Sequence, residues 1–294
     1  MALRIIRSTD QITVERLNVV IYGQPGLGKS SLAFTADTPL LLDFDGGAHR
    51  AANRKDSVRV TAWDHVTSIT DADLAPYRTV VIDTAGRALD VLSADIIRRD
   101  AKMGRGGALT LQGYGLLKSN FVAWLKMLNG LGKDVILIAH MEEQRNGDDV
   151  IERLDVQGGS KGEIYKAADA MGRLSIVAGK RVLNFSPTDA AFGKNPGHLE
   201  VMDVPPPAQA PDFLAGVIVA IKEKLNELTE EQRVASEAME AWRLKLNDAE
   251  DEEAINALLT AVKGGAQAHK AMLRDRAAAL GLAFDPDAKA FKAA

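Results

Sequence analysis

Residues 17–30 read LNVVIYGQPGLGKS, and the organisation of the chain follows from them. The run 17–22 is short and continuously apolar and ends at a glycine turn, as expected of a strand buried on both faces of a parallel sheet. Gly23, Gln24, Pro25, Gly26, Leu27, Gly28, Lys29 and Ser30 then fill the pattern G-x-x-x-x-G-K-[ST]. Strand before and helix after is the context that gives this pattern meaning. The glycines let the backbone curl until its N–H groups converge on phosphate oxygens, and the helix that follows adds its positive end. Lys29 is then expected to reach the β- and γ-phosphates of ATP. The Ser30 hydroxyl is expected to ligate Mg²⁺, and Ser31 to line the same loop.

Three further apolar runs repeat the pattern at 40–42, 79–82 and 135–139, each ending on a polar or Gly-rich segment. Helical stretches at 30–36, 85–99 and 115–128 lie between them. Strands alternating with helices predict a doubly wound, mostly parallel α/β sheet, with its ligand at the carboxyl ends of the strands. Residues 141–161 carry too little periodicity for an element and read as a long loop. Residues 174–177 and 181–185 read as a hairpin. The proline cluster Pro205, Pro206, Pro207 and Pro211 marks a linker. The expected domains are therefore a P-loop NTPase core over 1–205, a linker over 206–211 and a small all-α region over 212–294. In that region Leu214, Val217, Ile218, Ile221 and Leu225 share a helical face, and Thr229 with Gln232 reads as a capping box opening the next helix. Ile255, Leu258, Leu259 and Val262 make a third stripe, and a fourth helix over 266–280 is stopped by Gly281. The acidic run 248–253 reads first as a complement to a helix dipole.

Composition narrows the function. There is no cysteine among the 294 residues, so disulfides and thiolate metal sites are excluded. The five histidines do not pair at ligand spacing, and no structural metal is expected. No apolar run is long enough to span a bilayer and no signal peptide is evident, so a cytoplasmic protein without membrane contact is expected. The net charge of −4 arises entirely in residues 212–294, with 11 Lys+Arg against 15 Asp+Glu; residues 1–211 hold 25 of each. Any nucleic-acid contact must therefore be local.

At the strand ends, Asp83 closes Val80-Val81-Ile82 and is expected to hold Mg²⁺ or its water. Asp43 and Asp45 both follow the 40–42 run, two apart and so on one face if the strand continues. Either can position the attacking water, and Asp45, beside Gly46 and Gly47, is preferred. His140 ends the fourth run and is expected to face the γ-phosphate. Arg98, Arg99, Lys102 and Arg105 gather around Gly104, Gly106 and Gly107. They read either as a groove tracking a nucleic-acid backbone or as basic residues at a helix C-terminus.

Taken together, GQPGLGKSSLA, LLLDFDGG, VVIDTAG and VILIAH, with GGSKGE and FSPTDAAFGKNPG further on, resemble the RecA-like ATPase core. More narrowly, over roughly residues 15–205, they resemble the phage-encoded P-loop proteins of the Sak single-strand-annealing group. The resemblance implies a catalytic carboxylate at Asp45, where the family ordinarily has the longer Glu, and a γ-phosphate sensor at His140. It implies single-stranded-DNA contacts from the segment around 98–113 and from the loop after His140, which holds Arg145 and Lys161. It also implies a ring or filament of identical subunits in which Lys161 or Lys166 reaches a neighbour's γ-phosphate. The helical tail could engage a single-strand-binding protein. The leading expectation is an ATP-dependent, DNA-stimulated protein, phage-encoded and acting in the host cytoplasm, that binds single-stranded DNA and promotes annealing or strand exchange. A P-loop phosphotransferase such as a nucleotide kinase, and an ATP-bound assembly or loading module that hardly hydrolyses ATP, are the alternatives.

Overall fold

The computed structural model describes residues 5–7, 9–10, 12–146, 149–156, 160–262 and 267–293, with the backbone alone at 146, 149, 160 and 161. In chain order the strands are β1 (Asn18–Gly23), β2 (Pro39–Asp43), β3 (Ser57–Arg59), β4 (Thr79–Asp83), β5 (Gly104–Arg105), β6 (Ala108–Leu109), β7 (Asp134–Asn146), β8 (Asp149–Leu154), β9 (Ala170–Val177), β10 (Lys180–Asn184), β11 (Met202–Asp203), β12 (Leu282–Asp285) and β13 (Ala290–Ala293). The helices are α1 (Lys29–Ala33), α2 (Asp64–Thr67), α3 (Asp71–Leu74), α4 (Ala85–Arg99), α5 (Leu111–Gly130), α6 (Ser160–Ala167), α7 (Phe213–Asp248), α8 (Glu252–Ala261) and α9 (Gln267–Ala279).

Nine strands form one sheet in the order β11-β10-β9-β1-β7-β4-β2-β3, with β8 beside the far end of β7. From β9 to β3 every neighbouring pair is parallel. The expected α/β architecture is thus present. The apolar runs are continuous because both faces are covered, and the two-residue period sorts them. Val20, Tyr22, Leu42, Val80, Ile82 and Leu137 pack beneath α4 and α5. There Trp63 and Trp124 meet edge to face, with ring centroids 5.0 Å apart. Val19, Ile21, Leu41, Val81, Ile136 and Ile138 face the other way, onto Leu32 and Phe34 and onto Leu214, Ile218 and Ile221 of α7.

The chain divides into two compact units, Val14–Leu225 and Met1–Thr13 with Asn226–Ala294. The division falls inside α7, whereas the sequence reading put it at the prolines. The apolar stripe that begins α7 belongs to the core of the larger unit, so the prolines lie within that unit. In the smaller unit Leu246, Ile255, Val262, Leu273, Ala277 and Phe291 form a separate core.

Three local expectations need correction. Most of the described residues in 141–161 are not loop: β7 continues through Asn146 and pairs antiparallel with β8, from Met141↔Leu154 to Asn146↔Asp149. Thr229 opens no helix, because α7 runs through it unbroken and its hydroxyl has Asn226 O and Ile12 O as alternative acceptors, each 2.9 Å away. Such back-bonding lets a threonine sit inside a helix. The C-terminal region is helical but not all-α, since β12 and β13 form a hairpin held by Asn256, which bonds both N and O of Phe291. Two further readings agree with the structure. The 174–185 hairpin is β9–β10, turned at Ala178-Gly179 with both φ positive. In the acidic run, Asp251 caps α8 by accepting from Ala254 N, with Glu252 and Glu253 in the first turn. Among the described residues no helix is long and apolar enough to cross a membrane.

Candidate nucleotide site

Strand register brings the site together. Gly23 is paired with His140, and Asp43 with Asp83, so four strands deliver their polar ends to one edge. Because β7 lies between β1 and β4, His140 stands between the loop after β1 and the carboxylate ending β4. At this edge the loop 23–30 curls as the motif requires. Gly28 caps α1 at φ +80°, a conformation that side chains resist. Gly23 lies so close to β9 that a Cβ there would fall 2.3 Å from Leu174 O. The helix α1 has only five residues, so the anion-holding groups here are the loop amides more than a helix dipole.

Lys29 is buried and folded onto its own loop. Its Nζ donates to Gly23 O at 2.9 Å and Gln24 O at 2.8 Å and lies 3.3 Å from His140 Nδ1. Burial is the main cause that lowers its pKa to about 8, against the pull of Asp83 and Asp45. An anionic phosphate would reverse that effect. Beside an ammonium, His140 Nδ1 must be the lone-pair nitrogen, which leaves the ring proton on Nε2. Burial and then the Lys29 charge push the His140 pKa down, consistent with a neutral ring.

Ser30 Oγ donates to Asp83 Oδ2 at 2.6 Å. Two hard oxygen donors, one at the start of α1 and one at the end of β4, fit an Mg²⁺ ion that also binds triphosphate oxygens. Burial, tempered by the Ser30 bond and reinforced by Asp43 and Asp45, pushes the Asp83 pKa up. A divalent cation would relieve that charge crowding. Ser31 Oγ is already engaged, accepting from Ala52 N at 3.2 Å.

Asp43 and Asp45 prove to have different surroundings. Asp43 is buried and accepts from Gly47 N at 3.0 Å and Ala48 N at 3.2 Å, so its carboxylate holds the turn. The strand ends there, because Phe44 N and Asp45 N both bend back to Asp83 O. The expectation that the two acids share a strand face therefore fails. Asp45 is a turn residue with 27% of its side chain exposed, and it lies 3.4 Å from Arg87 Nε and 3.6 Å from Arg50 Nη. Sequence reading missed Arg87. The available signal was its place three residues into the helix that Thr84 caps, directly after the Asp83 strand.

The other predicted residues are scattered. Arg98 and Arg99 are held by carboxylates: both reach the buried Asp95, and both reach Asp64, at 3.1 Å and 2.8 Å. Lys102 and Arg105 are exposed at the β5–β6 hairpin, with no acidic partner among the described residues. Arg145 is exposed on β7 opposite Val150. Lys166 pairs with Glu163 at 3.2 Å. Lys161 lies in α6, but its side chain is outside the described residues, as are Gly158 and Gly159.

A parallel sheet with a phosphate loop after its first strand, and a hydroxyl–carboxylate pair beside that loop, defines a nucleotide-binding P-loop domain of the ATPase type. Residues 15–196 match the AAA domain family, and the chain belongs to it. No curated protein matches the chain.

Proposed function

We propose that this protein hydrolyses ATP and couples the reaction to binding single-stranded DNA, promoting annealing or strand exchange. The observation that carries the ATPase part is the convergence of Lys29, Ser30, Asp83, Asp45 and His140 on one sheet edge. Ser30 and Asp83 would hold Mg²⁺, whose charge offsets that of the triphosphate. Lys29 leaves its two loop carbonyls for the β- and γ-phosphates. Asp45, the partly exposed carboxylate of the group, orients the water. As the water attacks the γ-phosphorus, the bond to the ADP oxygen breaks and the water's proton passes towards Asp45. Nε2 of His140 donates to the γ-phosphate while Nδ1 faces Lys29, so loss of that phosphate is felt at the base of the β7–β8 ribbon.

The DNA part is supported by that continuity and by the exposed cations Lys102, Arg105 and Arg145. Arg98 and Arg99 contribute less, since Asp64 and Asp95 already neutralise them. A neighbour's γ-phosphate contact from Lys161 or Lys166, in a ring or filament of this chain, belongs to the same reading, as does docking of a single-strand-binding protein on the helical tail. The test is steady-state ATP hydrolysis with and without single-stranded DNA. A several-fold rise with DNA, abolished by Lys29→Ala, supports the reading; a rate indifferent to DNA, with no DNA retained in ATP, removes the DNA part.

One observation favours a second reading. A cavity of about 550 Å³ opens beside Asp45, lined by Trp63, Arg87, Asp90, Asp95 and Arg98. A phosphotransferase needs an acceptor pocket with arginines at this place. Phosphate appearing on a second nucleotide would decide for it.

A further inference from the structure

The β9–β10 hairpin brings a second cation to the phosphate loop. One Nη of Arg181 lies 2.9 Å from where a Cβ on Gly28 would stand. The other donates to Pro205 O at 3.0 Å, which fixes the guanidinium in place. Arg181 is half-buried, and no carboxylate pairs with it among the described residues. A guanidinium taken partly out of water without a counter-charge is unfavourable until an anion arrives. The anion for which the neighbouring loop is shaped is phosphate.

The cross-strand neighbour extends the argument. Arg181 is paired with Ile176, so the two side chains stand on the same face of the hairpin. Two positions further into the sheet, on that face, the pair Leu183 and Leu174 is buried in the core cluster that also holds Leu32 and Ala33 of α1. Ile176 continues the face past the end of the core and is 59% exposed. An aliphatic side chain beside a planar guanidinium offers a flat, apolar surface to an aromatic base.

We propose that Arg181 and Ile176 complete the nucleotide site from within the same subunit. Arg181 is a second phosphate-binding cation, on the side of the loop away from His140, and Ile176 is a platform for the base. This rests on the ATP reading of the loop. The test is calorimetric titration of Mg²⁺-ATP, and separately of Mg²⁺-tripolyphosphate, into wild type, Arg181→Ala, Arg181→Gln and Ile176→Ser, each with its ligand-free melting temperature. Arg181→Gln keeps a donor for Pro205 O while removing the charge, so it separates folding from binding. Both Arg181 variants are expected to weaken both ligands about tenfold, the loss of one charge-assisted contact. Ile176→Ser is expected to weaken ATP several-fold and to leave tripolyphosphate unchanged. Wild-type affinity for both ligands in Arg181→Gln overturns the phosphate role. Equal effects of Ile176→Ser on the two ligands, or none on either, overturn the base platform. If wild type itself binds neither ligand, the ATP reading fails first, and that result is distinct from an unaffected variant.

Discussion

Two glycine-flanked basic regions of this protein are opposite in structure. Around Lys29 there is a single buried ammonium, solvated only by two backbone carbonyls and a histidine nitrogen. Around Arg98 and Arg99 there are two exposed guanidiniums, and two carboxylates already satisfy them. The first region holds a charge in a low-dielectric place with Asp83 and Asp45 acting on it only from a distance, and the second holds charges whose carboxylates touch them. What makes a cation a site is the missing counter-charge, which a count of lysines and arginines does not report.

Four measurements would sharpen or break this contrast. Lys29→Ala should lower ATP turnover by about a thousandfold and leave the fold intact, since a positioned cation acts on charge that develops in the transition state. Comparable turnover in the variant would mean the loop is a structural turn. Asp45→Asn should cut kcat by about a hundredfold or more with little change in KM. By contrast, Asp43→Asn should act on the melting temperature, because its carboxylate holds Gly47 and Ala48; a swap of those two outcomes would reverse the assignment.

Titration gives the third. Free Lys29 has a pKa of about 8, below its unfolded value, so it binds fewer protons folded than unfolded between those limits. Stability of the ligand-free protein should therefore rise with pH from about 8 until the unfolded-state pKa is passed, and the rise should be absent from Lys29→Met. ATP affinity should run the other way: level below pH 8, then falling by up to about tenfold per pH unit as the ammonium is lost. A flat affinity across that range would show that Lys29 stays charged without ligand. The smallest effect concerns DNA. Lys102→Ala with Arg105→Ala should weaken single-strand binding several-fold and reduce the salt slope by about two. Arg98→Ala with Arg99→Ala should instead lower the melting temperature by exposing the buried Asp95 to a missing partner. Equal DNA effects from both pairs would put the neutralised arginines on the DNA after all.

The core of the site was legible because its signals are local. Residues 23–30 are contiguous, and Asp83 and His140 end apolar runs whose parallel pairing forces them to one edge. What the sequence could not give depended on pairing and on partners. Residues 141–154 carry charges on both faces, so their alternation was too weak to announce β7–β8, and only the pairing from Met141↔Leu154 onwards makes them strands. Asp43 and Asp45 are the same residue type two apart, and they separate only when Gly47 N and Ala48 N are seen to claim the first. Thr229 followed by Gln232 matches a capping box, yet nothing before it breaks the helix. Arg181 is one of two arginines on its hairpin, made noticeable only by its distance from Gly28.

The start of α7 has a practical meaning for anyone who trims the gene. The family match ends at 196 and the prolines invite a stop codon near 205, but Leu214, Val217, Ile218 and Ile221 are all buried in the core of the larger unit. Four aliphatic side chains at about 1.5–3 kcal/mol each amount to roughly the whole stability margin of an ordinary domain. A product ending at 205 should aggregate, whereas one spanning 14–225 carries its own lid of helix and is the shortest piece worth expressing.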